Sequence, residues 1–217
     1  MLPEFAKPAF SQHGEDLITP ELLWRFGRDV KEGFYVDIGA YHPWNASNTA
    51  TLYLQGWSGI AVDPNPYMAA IFRSERPRDI FVEAAVAGHE GTGTYYSFDP
   101  AASSNTLDPE WAESVVRTQN VAVEEERSVK TLTLASLLND HLPENTTIDL
   151  LNVDVEGLDY TVLESNDWER YRPSLIAVEE YQMDLRDLTS SSIHELLTPL
   201  GYRLVTRAVL TNFYVLD

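Results

Sequence analysis

Phe34-Tyr35-Val36-Asp37-Ile38-Gly39-Ala40-Tyr41 is a short apolar run that stops on an acid and turns sharply through a glycine. An unbroken apolar stretch of this length, bounded by turn residues, reads as a buried strand. An open α/β sheet forms a nucleotide-sized crevice beyond the carboxyl end of such a strand. A second apolar run, Ile60-Ala61-Val62, ends on Asp63. A carboxylate there can accept hydrogen bonds from both ribose hydroxyls of an adenosine group.

Working outward, Ser11 to Asp16 precedes an apolar pattern at Leu17, Leu22, Leu23, Trp24 and Phe26, which predicts an amphipathic helix from near Gly14. Ser47-Asn48 opens a helix through Leu54. Pro64-Asn65-Pro66 turns into another at Met68 to Phe72, and Ile80-Phe81-Val82 starts a third strand running to about Val86. Strand, helix, strand, helix, strand predicts a parallel sheet with helices on both faces. A short helix is expected over Thr133 to Leu138. Strands that end in carboxylates are expected over Ile148 to Gly157 and Leu175 to Glu180, and a helix starting behind Ser191. Tyr202–Thr206 and Thr211–Leu216 read as an antiparallel hairpin that closes the sheet, an ending more typical of methyltransferases than of dehydrogenases. The stretch at about 91–129 breaks the pattern. It holds an extra strand at Thr94 to Phe98, a helical piece at Trp111 to Val116 and a weakly patterned acidic tract at Val121 to Arg127. The chain is expected to be one domain, 1–217, with this insertion facing the substrate.

Among 217 residues, 15 Lys and Arg stand against 34 Asp and Glu, a formal charge of −19. Such a field repels nucleic-acid backbones and anionic lipid. The only basic candidate, Arg73 to Arg78, reads more simply as a solvated helix end. With no cysteine, disulfide frameworks and thiolate metal sites are excluded. Met1 to Phe5 lacks the basic and apolar regions of a leader, and no apolar run approaches a membrane span, so no membrane insertion and a cytoplasmic location are expected. The oligomeric state is left open.

Asp37-Ile38-Gly39 carries one glycine rather than the spaced glycines of a dinucleotide fingerprint, so a pyrophosphate fits poorly. A cofactor without phosphates needs no such close approach, and S-adenosylmethionine is the reading that follows. Asp37 would reach its methionyl amine and Asp63 its ribose. Asn65 would add a ribose or adenine contact, Glu83 and Ala84 would lie near the adenine, and Gln12, Tyr41 and Ser47 complete the expected cofactor-binding set. A second group of acids, Asp154, Glu156, Glu179 and Glu180, falls at the ends of two adjacent strands. Carboxylates so close must share protons, meet a base or bind a cation, and oxygen-only ligands suit magnesium, calcium or manganese. The competing reading is that they cap the helices that follow. His42, after the first strand, is a candidate general base or simply a solvated loop residue.

These motifs, in their order, resemble the FkbM-type methyltransferases, a class I S-adenosylmethionine-dependent O-methyltransferase family. The resemblance rests on Ser11-Gln12-His13-Gly14-Glu15-Asp16, Gly33 to Ala40 with His42-Pro43, Ser47-Asn48-Thr49 and Gly56-Trp57-Ser58-Gly59-Ile60. It continues through Asp63-Pro64-Asn65-Pro66, Arg76-Pro77-Arg78-Asp79-Ile80, Val153 to Asp159 and Arg172-Pro173. It implies a doubly wound, mostly parallel, seven-stranded Rossmann-like sheet with the cofactor at Asp37, Gly39 and Asp63. It also implies methylation of a hydroxyl on a saccharide, with a polyketide or macrolide as the alternative acceptor. Magnesium-dependent relatives suggest Asp154, Glu179 and Glu180 as metal ligands, leaving Asp154, Glu156 and His42 as catalytic candidates. A nicotinamide oxidoreductase or a non-catalytic binding module are the rivals of other classes.

Overall fold

A computed structural model describes residues 7–28 and 31–217; Met1 to Phe5, read above for a leader, lies outside the described residues. The strands are β1 (Phe34–Ile38), β2 (Ser58–Val62), β3 (Ile80–Val82), β4 (Ala85–Val86), β5 (Gly91–Ser97), β6 (Glu125–Leu132), β7 (Leu150–Val153), β8 (Leu175–Glu179), β9 (Tyr202–Ala208) and β10 (Thr211–Leu216). The helices are α1 (Glu15–Arg25), α2 (Ala50–Leu54), α3 (Pro66–Glu75), α4 (Pro109–Gln119), α5 (Leu134–His141), α6 (Asp159–Glu164) and α7 (Ser192–Leu197).

Seven strands form one sheet in the order β3-β2-β1-β7-β8-β10-β9. The first five run parallel, and β10 is antiparallel to both β8 and β9. Strand order reverses between β1 and β7, so their carboxyl ends diverge and open the crevice. Side chains alternate across the sheet. Val36, Ile38, Leu151, Val153, Ile176 and Val178 pack with α5, α6 and α7. Tyr35, Leu150, Leu175, Ala177 and Phe213 pack on the opposite face with Leu22 and Leu23 of α1 and Leu52 of α2. Both faces are covered, which is why β1, β7 and β8 are almost wholly apolar runs. Local signals agree with this architecture. Asn65 accepts the Tyr67 N–H at 3.1 Å and Pro66 sets the first turn of α3. Asp108 and Pro109 do the same for α4, and Thr133 and Ser136 form a capping box on α5.

Three sequence expectations change. The third strand stops at Val82 rather than Val86, because its partner β2 ends in register at Val62. The chain then crosses to a separate three-stranded sheet, where Ala85–Val86 pairs with β6 in the order β4-β6-β5. The tract that read as weakly patterned runs into β6, whose first three residues it holds, antiparallel to β5 along Gly91 to Ser97. Finally, Arg76 is not a solvated helix end but 1% exposed. Its guanidinium donates to Asp79 at 2.7 Å, Tyr35 at 2.7 Å, Thr49 at 3.0 Å, Pro43 at 3.2 Å and Ser47 at 3.3 Å.

Candidate functional site

Backbone hydrogen bonds lock the strand ends that frame the crevice. Gly39 and Ala40 donate to Val62, each at 3.0 Å, and Asp154 donates to Ile38 at 3.0 Å. Gly39 has φ +79°, and a Cβ there would stand 1.8 Å from the Asp154 carbonyl. The glycine of the opening motif is therefore required by the approach of the loop after β7, as well as by its own turn. Three residues that line the crevice, Tyr41 (φ 48°), Ala46 (φ 52°) and Glu156 (φ 55°), hold left-handed backbones. Such positions cost energy and persist only where surrounding structure enforces them.

One lobe of the crevice is lined by Gly39, Tyr41, Asp63, Asn65, Ala84 and Leu158, among others. The adjoining lobe is lined by Gln12, Asp37, Asn48, Asn152, Asp154 and Glu156. Asp63 accepts the N–H of Asn65 at 2.8 Å and of Tyr41 at 3.0 Å. Burial nevertheless pushes its carboxyl up to about 7. Asp37 accepts from Thr49 at 2.6 Å and Asn152 at 2.9 Å. Its pKa too is raised, chiefly by desolvation.

Of the expected cofactor residues, Gln12, Asp37, Gly39, Tyr41, Asp63, Asn65 and Ala84 meet at the crevice. Two of the others are engaged elsewhere. The Ser47 hydroxyl accepts from Arg76, and Glu83 pairs with Arg73 at 3.5 Å on the surface. His42 lines neither lobe. Its Nδ1 accepts the N–H groups of Trp44 and Asn45, both at 3.1 Å, and desolvation lowers its pKa. Through Nδ1 it organises its own loop. Sequence reasoning missed Asn152, inside β7, and Ser103, Asn105 and Thr106, which cover the crevice. An Asn in an otherwise apolar strand was a signal for the first. The rest lay in the stretch with no periodic pattern.

At the far wall, Asp154, Glu156 and Glu179 place one carboxylate oxygen each within 4.8 Å of one another. Desolvation, and then the neighbouring Asp154 charge, pushes Glu156 up to about 8. The same two causes raise Glu179, and burial raises Asp154. Asp159 rises to about 7 by burial while accepting the N–H groups of Val155 at 3.1 Å and Gly157 at 3.3 Å, which holds the loop that carries Glu156. Glu180 stands apart from this group, because alternation turns it to the other face. There it accepts from Asn212 at 2.8 Å and Ser191 at 3.0 Å. The expected trio Asp154, Glu179 and Glu180 is thus replaced, as a geometric cluster, by Asp154, Glu156 and Glu179. Glu179 Oε2 is buried without a hydrogen-bond partner. An orphaned carboxylate oxygen in an all-oxygen donor set suits a hard divalent cation.

This sheet order, with a crevice at its reversal, is consistent with a class I methyltransferase fold. A sequence model of the FkbM methyltransferase domain matches residues 37–204, and the chain belongs to that family. Among solved structures, the methyltransferase FkbM from Methylobacillus flagellatus KT is 13% identical, with a TM-score of 0.41. That match covers 86% of this chain and 44% of the other, so this chain spans about half the length of that protein. A search of curated proteins finds no match.

Proposed function

We propose that this chain is an S-adenosylmethionine-dependent O-methyltransferase acting on a saccharide hydroxyl with the help of a divalent ion, magnesium by preference. The proposal treats 1–217 as one catalytic domain with the smaller sheet and α4 facing the acceptor. Among the described residues no helix is long and apolar enough to cross a membrane, and a cytoplasmic setting is part of the same reading. The observation that carries it is the juxtaposition of two unlike sites. A crevice with carboxylates at the ends of β1 and β2 adjoins a desolvated trio of carboxylates at the ends of β7 and β8.

Bound in the crevice, S-adenosylmethionine would supply an electron-poor methyl group. Asp63 would take the ribose hydroxyls, Asn65 and Ala84 would border the base, and Asp37, Asn152 and Gln12 would surround the amino-acid end. An ion against Asp154 and Glu179 would lower the pKa of a coordinated hydroxyl. Glu156, which lines the crevice and belongs to the trio, would take the hydroxyl proton. Holding the hydroxyl in line with the methyl group is the remaining requirement, and rigid strand ends serve it.

The test is methyl transfer over a saccharide and macrolide panel, with and without magnesium. Asp154→Ala and Glu179→Ala should abolish transfer while S-adenosylhomocysteine still binds. Full activity after exhaustive chelation removes the metal from the proposal, and transfer to macrolides alone replaces the acceptor class.

A further inference from the structure

A third cavity, of about 370 Å³, meets the carboxylate trio at Glu179 and shares no lining residue with the cofactor crevice. That is within the roughly 300–1,000 Å³ range of small-molecule sites. Asp108, Glu110 and Trp111 from the start of α4 form one wall, and Glu179, Glu180 and Tyr181 from the end of β8 form the other. Glu179 connects the two spaces, since it belongs to the trio that reaches the crevice.

Two observations give this cavity a chemistry. The first is an aromatic corner: the Trp111 and Tyr181 rings lie 4.5 Å apart between centroids, inclined by 53°. The indole N–H of Trp111 is buried without an acceptor. The Tyr181 hydroxyl reaches Glu156 at 3.4 Å. The second is charge. The lining contains five acidic side chains, of which Asp159 and Glu179 are raised by burial and Asp108, Glu110 and Glu180 are the other three, and no Lys, Arg or His. Glu179, 9% exposed, keeps one buried oxygen unpartnered. A divalent ion held by the trio would offset part of this charge, but Asp108, Glu110 and Glu180 would still leave the wall acidic. Aromatic faces beside carboxylates attract an ammonium group by the ring quadrupole and by direct charge. They repel a phosphate or carboxylate by the same field.

We propose that this cavity binds the methyl acceptor and that the acceptor is a protonated amino sugar, its ammonium held between the Trp111–Tyr181 corner and the carboxylates of the wall. This deepens, and for the transfer step rests on, the O-methyltransferase reading above. Sugar rings offer an apolar face to Trp111 while their hydroxyls face the acids, and the ammonium selects among sugars. The cavity discriminates against nucleotide sugars and uronates, whose charge has the wrong sign.

The experiment compares four groups on the same ring: hydroxyl, ammonium, acetamide and carboxylate. Gluco, galacto and manno series are used, for binding to the S-adenosylhomocysteine complex by calorimetry and for methyl transfer by mass spectrometry. At least one amino sugar should bind about tenfold or more tightly than its neutral and acetylated partners, and carboxylates should not bind. Trp111→Ala should bring the amine down to the level of the neutral sugar, and Glu110→Gln should lower its advantage, while neither changes the affinity for S-adenosylhomocysteine. Neutral sugars binding as well as amines, no amine binding in any series, or an unaffected Trp111→Ala protein would each overturn the inference. Amine-selective binding without transfer, or transfer to nitrogen, would defeat the O-methyltransferase reading and leave the cavity assignment standing.

Discussion

Glu156 is charged at an ordinary pKa of 4.5 in an unfolded chain and at about 8 in the folded one. The folded protein therefore holds a proton that the unfolded chain has released throughout that interval. Stability must fall as pH rises across it, which is opposite to the behaviour of a carboxylate in a salt bridge. Glu179, raised by burial and by Asp154, acts in the same direction. The metal-free protein should lose stability from pH 5 toward pH 8, on the order of a few kcal/mol at most, read as a fall in melting temperature. Magnesium should restore it at pH 8 and have little effect at pH 5, where the trio is protonated. A melting temperature flat in pH and indifferent to magnesium would mean the trio is not under this stress. Glu179→Gln should raise the metal-free melting temperature at pH 8, because the folded protein no longer has to keep protonated a carboxyl that the unfolded chain ionises, and should abolish the magnesium effect. At this scale the sequence showed what strand position alone decides. Asp63, Asn65, Gly39 and Tyr41 follow from where β1 and β2 must stop. The choice between Glu179 and Glu180 was also present in it, since Glu179 continues the face of Leu175 and Ala177. The membership of Glu156 was not, because it depends on a left-handed backbone set by Asp159 and Gly157.

Two elements show how position is bought in this fold. Arg76, at the end of α3, ties β1 through Tyr35, the loop before α2 through Pro43, Ser47 and Thr49, and β3 through Asp79. Thr49 in turn holds Asp37 at the crevice. Arg76→Met would strand Asp79 without its buried partner and cost about 3–5 kcal/mol, read by urea unfolding. Arg73→Ala, which loses only an exposed pair, should stay within about 0.5 kcal/mol. Equal effects from both would place the anchor elsewhere. The second element is the segment 99–107 over the crevice. It is pinned by Tyr41 Oη to Ala101 at 2.7 Å, Asn65 Nδ2 to Pro100 at 2.8 Å and Thr106 Oγ1 to Glu156 at 2.8 Å. Beneath it the Asp63 lobe holds about 50 Å³, far below the roughly 300 Å³ at which ligand pockets begin. Admitting a nucleoside requires this segment to lift. Its amides should exchange faster than those of β1 and β7 in the free protein and slow when S-adenosylhomocysteine binds. Unchanged exchange at full occupancy would show that the ligand enters by another route. No sequence period announced this cover, since it is built from turns and Asx bonds rather than from a repeating apolar face.

At the scale of the molecule, the parallel sheet was legible because strands alternate with helices along the chain. The hairpin at the end was legible because two apolar runs flank a turn. What the hairpin does for the whole is less evident from sequence. The chain inserts β10 between β8 and β9, so the strand that carries Glu179 is an interior strand only because the last residues arrive. Phe213, Tyr214 and Val215 are each at most 3% exposed, and Thr211 donates to Glu15 of α1 at 3.3 Å, joining the two ends of the described chain beside the carboxylate wall. Ending the chain after Gly201 would remove these side chains and leave the β8 edge open. Large buried side chains cost about 2–5 kcal/mol each when truncated, and the total stability of a domain is only about 5–15 kcal/mol. The truncated chain should therefore show no cooperative thermal transition by circular dichroism and should aggregate through the bared edge of β8. A soluble truncated chain that melts cooperatively and still binds S-adenosylhomocysteine would place the stability of the wall in β1, β7 and β8 alone. The geometry argues against that outcome, because Glu179 has its register partner in Thr211 of the hairpin.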